Sequence, residues 1–392
     1  MKPCDARARV VRLRLVRSPN GLGLPALGDS AALRSPFPGT RNCDDAAIKR
    51  PNLNMRLRVG LDAARALAAC YVVLHHVASA RGWSYGPGVL LRFGQEAVMV
   101  FFLLSGFVIF ANEKTRAASP RGYYLRRLRR IYPALIAAML VSTLVAIDNR
   151  TFINDFRWRE LLGTLASIQD VPVLKPGVIA SPYLQNDPLW SLSYEVAFYI
   201  AFPFVLRLWL RHPLWATHSI GVAACAGYVG YMLVPNHWAL VTAYFLVWWC
   251  GAMAAEAYSQ GARDVRSLGA SGCWLLLLAT VAAAGVLITG YRGAGAYPFL
   301  MLRHFAASLI MLGVLFGPFG GWLASLFCRV SRPASAIAAL SYGLYVLHYP
   351  LLVTWRRAQT GPGLTASILL LAALAYVADR QMNRFLPRAP SY

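Results

Sequence analysis

Acidic side chains are scarce in this chain: 16 Asp and Glu face 39 Lys and Arg, and charged residues of both signs make up only 14% of the sequence. Polar stretches are scarce as well once residue 54 is passed. With 57% hydrophobic residues there is too little polar material to cover a soluble globule, which excludes an ordinary soluble enzyme. Cys-x-x-Cys pairs are lacking, and the seven cysteines are scattered, so neither a disulfide framework nor a zinc site is expected. Cys70, Cys225, Cys250 and Cys273 fall in or beside apolar runs, where they serve as small hydrophobes. No P-loop, Gly-x-Ser-x-Gly elbow or His-Glu-x-x-His pair occurs, which leaves nucleotide hydrolysis, serine hydrolase chemistry and zinc proteolysis without support.

What the sequence does have is apolar runs, each of about 18 to 22 residues and so long enough to cross a hydrocarbon core as a helix. Ten are expected, near residues 61–80, 93–112, 131–148, 188–206, 213–234, 238–257, 273–290, 299–317, 335–355 and 364–382. The expected fold is therefore all-α, a polytopic membrane bundle. The net charge of +23 raises the alternative of a nucleic-acid partner. Its distribution argues otherwise. With the amino terminus in the cytoplasm, Arg126, Arg127, Arg129, Arg130, Arg207, Arg211, Arg380 and Arg384 fall on the inner side, and inner basic residues outnumber outer ones. This bias places both termini in the cytoplasm, makes the bilayer the partner and leaves no call for nucleic acid.

Residues 1–54 read differently, being basic and rich in Pro and Gly with no run apolar enough for a signal peptide. They are expected to be a disordered extension ahead of a membrane domain over 55–392, with a true start at Met55 as the alternative.

The first span carries "ARALAACYVVLHH", an arginine and two histidines among Ala, Leu and Val. At about 100° per residue, Arg65 and His76 differ by about 20° and lie roughly 16 Å apart on one stripe, whereas His75 points some 80° away. A charge at mid-membrane costs at least about 2.5 kcal/mol, so such residues face a bundle interior or a wet cavity. The plainer alternative is that Arg65 snorkels to the inner surface while His76 hydrogen-bonds another helix.

Depth supplies a second filter. Counted from the expected span ends, His76 lies about 22 Å from the inner surface, His348 about 20 Å, and Glu195 roughly 10 Å below the outer edge. These three are expected to meet in one layer, as a proton-handling site requires. At the inner face Arg126, Arg127, Arg129 and Arg130 offer bidentate contacts to phosphates, with plain anchoring as the alternative. Ser105, in "FFLLSGF", is expected to be a packing residue.

Five segments in order give the chain a family resemblance: "LDAARALAACYVVLHH", "FFLLSGFVI", "RRLRRIYPAL", "PLWSLSYEVAFYIAFP" and "LSYGLYVLHYPLL". Over about residues 60 to 382 the chain resembles acyltransferase family 3, membrane proteins that O-acylate extracytoplasmic carbohydrates and some small molecules. One departure is Met99, where members often have an acid; Glu96 lies one turn earlier.

The resemblance implies an acyl-CoA donor, acetyl-CoA foremost, as co-substrate, with no bound cofactor or metal, and a carbohydrate or glycoside acceptor. It also implies the cytoplasmic membrane of a bacterium. On this reading Arg126, Arg127, Arg129 and Arg130 hold the CoA phosphates while Arg65 guides the pantetheine arm. His76 is then the general base and Glu195 orients its imidazole, with His348, Trp190, Ser191 and Tyr345 in support. The rival class is a proton-coupled secondary transporter using the same buried residues, although the internal symmetry common in such proteins is not evident.

Overall fold

A computed structural model describes residues 55–83, 86–115, 120–262, 265–327 and 331–384, and the extension expected over 1–54 lies outside them. Its elements are helices joined by loops, with no strand among the described residues. Ten helices answer to the ten expected spans: α1 (Met55–Ala80), α2 (Gly94–Glu113), α3 (Pro120–Asp148), α6 (Trp190–Arg211), α7 (Pro213–Leu233), α8 (His237–Ser259), α9 (Gly269–Thr289), α10 (Phe299–Phe316), α12 (Ser331–His348) and α13 (Gly361–Tyr376). Among the described residues, eight segments are long and apolar enough to cross a membrane. The helices α1 and α7 fall outside that set; α1 carries Arg58, Asp62 and Arg65, and α7 is diluted by polar and small residues. The protein is a polytopic helical membrane protein. Two short helices, α4 (Phe152–Asp155) and α5 (Trp158–Leu165), sit in the long connection before α6, and α11 (Pro318–Phe327) follows α10.

The third span extends well beyond its apolar core. The arginine run was expected to flank a span starting at 131, but α3 starts at Pro120, so the run is itself helical. Helical spacing therefore decides which arginines share a face, which matters for the site below.

Side-chain pairings show that the helices alternate in direction. Asp62 meets Ser335 and His76 meets His348, so α1 and α12 run parallel. Phe102 packs on Tyr194 and Tyr244, whereas Phe110 packs on Trp209 and Trp249, so α2, α6 and α8 run parallel to one another. Gly343 of α12 pairs with Asp379 beyond α13, as an antiparallel return demands. One end of the bundle thus gathers Lys114, Arg126, Arg130 and Glu256 and is called the basic end; the other gathers residues 81–83, 86–93 and 149–189 and is called the loop end. Both ends of the described chain lie at the basic end.

The closest helix crossing is between α2 and α8, and glycine permits it. A Cβ on Gly106 would stand 1.9 Å from the carbonyl oxygen of Trp248, and one on Gly251 would stand 2.0 Å from that of Leu103. Small residues at such crossings replace the hydrophobic drive that helices lack in lipid. Gly106→Ala must push the helices apart and is expected to destabilise the protein by about 3 kcal/mol. Gly230→Ala, with nothing within 4 Å of its Cβ, is expected to be neutral or stabilising by up to about 1 kcal/mol; thermal unfolding in detergent measures both.

Candidate functional site

A cavity of about 510 Å³ opens among α1, α2, α3, α6, α12 and the turn after α13. Arg126, Arg127 and Arg130 line it at the basic end, Arg65, Glu195 and Tyr199 further in, and Phe101, Ser191 and Tyr345 at its deep end. Arg129 does not line it, so the cavity brings together three of the four arginines of the run. On a helix turning about 100° per residue, 126, 127 and 130 fall within one arc of about 100°, and 129 lies about 60° outside it.

The arginines are held by carboxylates rather than left to snorkel. Glu113, only 1% exposed, accepts from Arg126 through both oxygens, at 2.9 and 2.5 Å, and from Arg127 at 3.0 Å. Arg127 also stacks over Tyr123 and Tyr199. Arg130 is held more loosely, 3.8 Å from Asp379, with its side chain 40% exposed and over the ring of Tyr342. Arg65 points into the cavity 3.5 Å from Asp62. A buried double arginine clamp of this kind presents fixed N–H forks at the cavity edge.

The three titratable groups expected in one layer do not all meet. His76 meets His348, Nδ1 to Nε2 at 3.1 Å. Glu195 instead accepts from Ser105 at 3.1 Å and from Tyr199, inside the cavity. The offset follows from helix register. Ser191 pairs with Tyr345 at 2.9 Å. Glu195 is one turn past Ser191 toward the basic end, and Tyr345 is one turn short of His348, so Glu195 lies about 10 Å below the histidines. The expected contact between Glu195 and His76 is therefore replaced by one between His348 and His76. Ser105, expected only to pack, lines the cavity; its neighbour Gly106 makes the helix crossing.

The histidine pair has a defined proton order. His348 Nδ1 faces the carbonyl oxygens of Tyr345, at 2.7 Å, and Leu344, at 3.1 Å. Carbonyls only accept, so Nδ1 carries the proton and Nε2 is a lone-pair acceptor for His76 Nδ1–H, which also reaches the Val72 carbonyl at 2.9 Å. That leaves Nε2 of His76 with its lone pair unclaimed by these contacts. His75 faces elsewhere, toward the Leu91 carbonyl and Gly94. The chain leaves α12 at His348 through a wide π turn, Tyr349–Thr354, containing Pro350. Such turns recur beside functional sites.

A second polar cluster at the loop end was not visible in the sequence. Asp170 and Lys175, 1% and 0% exposed, form an ion pair at 2.7 Å. Tyr194 donates to the same carboxylate, and His237 lies 3.6 Å from it. Lys175 sits 3.6 Å above the ring of Trp190, which stacks on His304. Trp190 is thus placed by the connection before α6 rather than in the cavity. Burial pushes the Asp170 carboxyl up, but the Lys175 charge, the adjacent His237 and the hydrogen bonds from Lys175 and Tyr194 outweigh it and hold the group below the usual carboxylate range. Glu96, the candidate stand-in for the acid missing at Met99, pairs with Arg303 at 2.5 Å and does not line the cavity. Among the described residues no His, Cys, Asp and Glu group is arranged to hold a metal.

These features define a polytopic helical membrane protein with one arginine-lined cavity ending near a pair of buried histidines. The chain belongs to acyltransferase family 3, whose model, described as an acyltransferase domain, matches residues 58–378. Among curated relatives, Nodulation protein 10 of Rhizobium leguminosarum bv. viciae is 32% identical over 44% of this chain and 50% of its own length. Acyltransferase MdmB of Streptomyces mycarofaciens is 30% identical over 43% of this chain and 44% of its own. Peptidoglycan O-acetyltransferase OatA of Listeria monocytogenes serovar 1/2a is 24% identical over 81% of this chain and 53% of its own. The chain thus spans about half the length of the curated relatives it matches. No solved structure matches it.

Removing one partner of a buried ion pair strands the other charge, so Asp170→Ala is expected to cost about 3 to 5 kcal/mol. Because the folded-state carboxyl is held low, the pair's contribution is present above the unfolded carboxylate pKa and fades as pH falls through the folded value. Thermal melts of wild type and variant, at neutral pH and at acid pH, test this: the gap between them should narrow in acid.

Proposed function

We propose that the protein transfers an acyl group, acetyl foremost, from acyl-CoA to a hydroxyl of a carbohydrate or glycoside across the membrane, with His76 as general base. The observation that carries this reading is the alignment of an arginine-lined cavity with the His348–His76 pair, one helical turn past the cavity's deep end. In this reading the basic end faces the cytoplasm of a bacterium, where acyl-CoA is made, and the loop end faces the acceptor. The names of OatA, a peptidoglycan O-acetyltransferase, and MdmB, an acyltransferase, support the same chemistry.

The donor enters at the basic end. Arg126 and Arg127, fixed by Glu113, form a rigid edge for the CoA phosphates, and the more exposed Arg130 closes over them. The extended pantetheine arm, roughly 15 to 20 Å, is comparable to the membrane half-thickness and carries the thioester past Arg65 toward Tyr345. Glu195, between Ser105 and Tyr199, presents a carboxylate to the amide N–H groups of the arm and acts as a positioning residue. At the far end Nε2 of His76 takes the acceptor's hydroxyl proton as the oxygen attacks the thioester carbonyl. The carbon–sulfur bond then breaks, and the CoA thiolate leaves and takes the proton back from the imidazolium. His348 fixes the tautomer that makes this possible.

Acceptor-dependent release of free CoA by membranes tests the reading, since a transporter predicts none. His76→Ala is expected to lose about a hundredfold or more of that release while the protein still purifies as a folded monodisperse species; full activity in this variant would remove the mechanism. Arg130→Ala is expected to raise the donor KM about tenfold with kcat within about twofold, the pattern of a group that grips the donor in ground and transition states alike.

A further inference from the structure

The turn that leads into α6 is held in an unfavourable conformation. Leu184 and Gln185, consecutive and neither a glycine, have φ of +47° and +59°. Each such residue costs on the order of 1 to 3 kcal/mol and persists only where its surroundings over-determine it. Here they do. The Tyr183 N–H donates to Thr164 at 3.0 Å, Asn186 donates to the Val346 carbonyl at 3.1 Å, and Tyr345 donates to the Pro188 carbonyl at 2.8 Å. Two of these bonds end on α12, within three residues of His348.

The effect of the bend is to fix Asp187 relative to the histidines. Among the described residues its only hydrogen-bond partner is the hydroxyl of Tyr349, at 3.5 Å, and it takes part in no ion pair. The ring of Tyr349 in turn stands edge-on to His76, 5.3 Å between centroids at 85°. An ionised carboxylate offers about four acceptor positions, and this half-buried one uses a single weak contact. In this chain acids are few; the fully buried ones, Glu96, Glu113, Asp170 and Asp379, each face a cation, and the half-buried Glu195 is taken by the hydroxyls of Ser105 and Tyr199 in the cavity. Asp187 is the acid left facing the histidines from the loop end without a cation.

We propose that Asp187 and Tyr349 form a subsite that holds a neutral sugar by a pair of adjacent hydroxyls, beside His76 and on the side away from the arginine cavity. This rests on the acyl-transfer reading for its purpose, although binding itself does not require that reading. The chemistry selects the ligand class. An acceptor-only group without a nearby cation takes donors, so two hydroxyls of one sugar ring fit it, each donating to one oxygen. The same carboxylate repels a phosphate or carboxylate placed next to those hydroxyls. The strained turn keeps the carboxylate from relaxing toward another partner when no sugar is bound.

The test uses the full chain in nanodiscs titrated with methyl glucoside, methyl galactoside, methyl mannoside and their phosphorylated counterparts, with the melting temperature as readout. At least one neutral methyl glycoside is expected to stabilise the wild type saturably and the phosphorylated forms are not. In Asp187→Asn, a change of nearly the same shape, the apparent Kd for that glycoside is expected to rise about tenfold or more, while stabilisation by CoA is retained. Tyr349→Phe should weaken the glycoside by about threefold. The proposal is overturned if no neutral glycoside stabilises the wild type, if Asp187→Asn binds glycoside as the wild type does, or if it loses CoA together with glycoside. Glycoside binding that depends on Asp187 without any acceptor-dependent release of CoA would keep the subsite and remove the acyl-transfer reading.

Discussion

The contact that the rest of this molecule depends on is the glycine crossing of α2 and α8. Where Gly106 meets the backbone of Trp248 and Gly251 meets that of Leu103, two helices approach at backbone distance. That closeness sets the rotation of α2, and the rotation sends Ser105 toward Glu195 while the Trp248 indole donates to the same hydroxyl at 3.3 Å. Phe102, one turn earlier, is then packed among Trp190, Tyr194, Phe198 and Tyr244. At the basic end of the same two helices Lys114 and Glu256 close the seam at 2.6 Å. One wall of the cavity is therefore fixed by backbone contact rather than by side-chain fit, so its geometry tolerates little drift.

Charge inside the bundle follows from the scarcity of acid. A membrane protein with so many arginines can bury them only by spending its few carboxylates well. Glu113 takes two arginines, Glu96 one and Asp170 a lysine, all at 3.0 Å or less. The cations with looser partners, Arg65 at 3.5 Å and Arg130 at 3.8 Å, are both in the cavity. Arg126 and Arg127 line the same cavity but are held tightly by Glu113, so the cavity carries both firmly fixed and loosely partnered cations. This pairing explains why a net charge that resembles a nucleic-acid binder's is compatible with a chain built for lipid.

Much of this was legible in the sequence because apolar length and helical angle are local properties. The ten helices follow from run length, and the choice of His76 over His75 follows from an eleven-residue separation on one helix: His76 faces α12 and His75 faces Leu91. Depth was less reliable. It brought His76 and His348 to one layer, but missed Glu195, because the register of α6 against α12 depends on the bond between Ser191 and Tyr345 and on no feature of either helix alone. Treating the charge run as a unit hid that it lies on a helix with faces, so that Arg129 falls outside the arc that lines the cavity. Asp170 and Lys175 left no trace, since an acid and a base five residues apart in an apolar connection have no periodicity to reveal that they pair. Asp187 was equally silent, because its position is set by a left-handed turn of ordinary residues.

The parallel seating of α1 against α12 has a consequence for how the protein is made. The two imidazoles that meet there are 272 residues apart in the chain, the first emerging with α1 and the second only when α12 has been inserted. Until then the early histidine lacks its imidazole partner, and only Arg65 has a companion, Asp62, on its own helix. Translation must therefore run through α12 before the polar centre exists at all. A product truncated before α12 would carry α1 into the membrane without the partner that fixes the tautomer of His76.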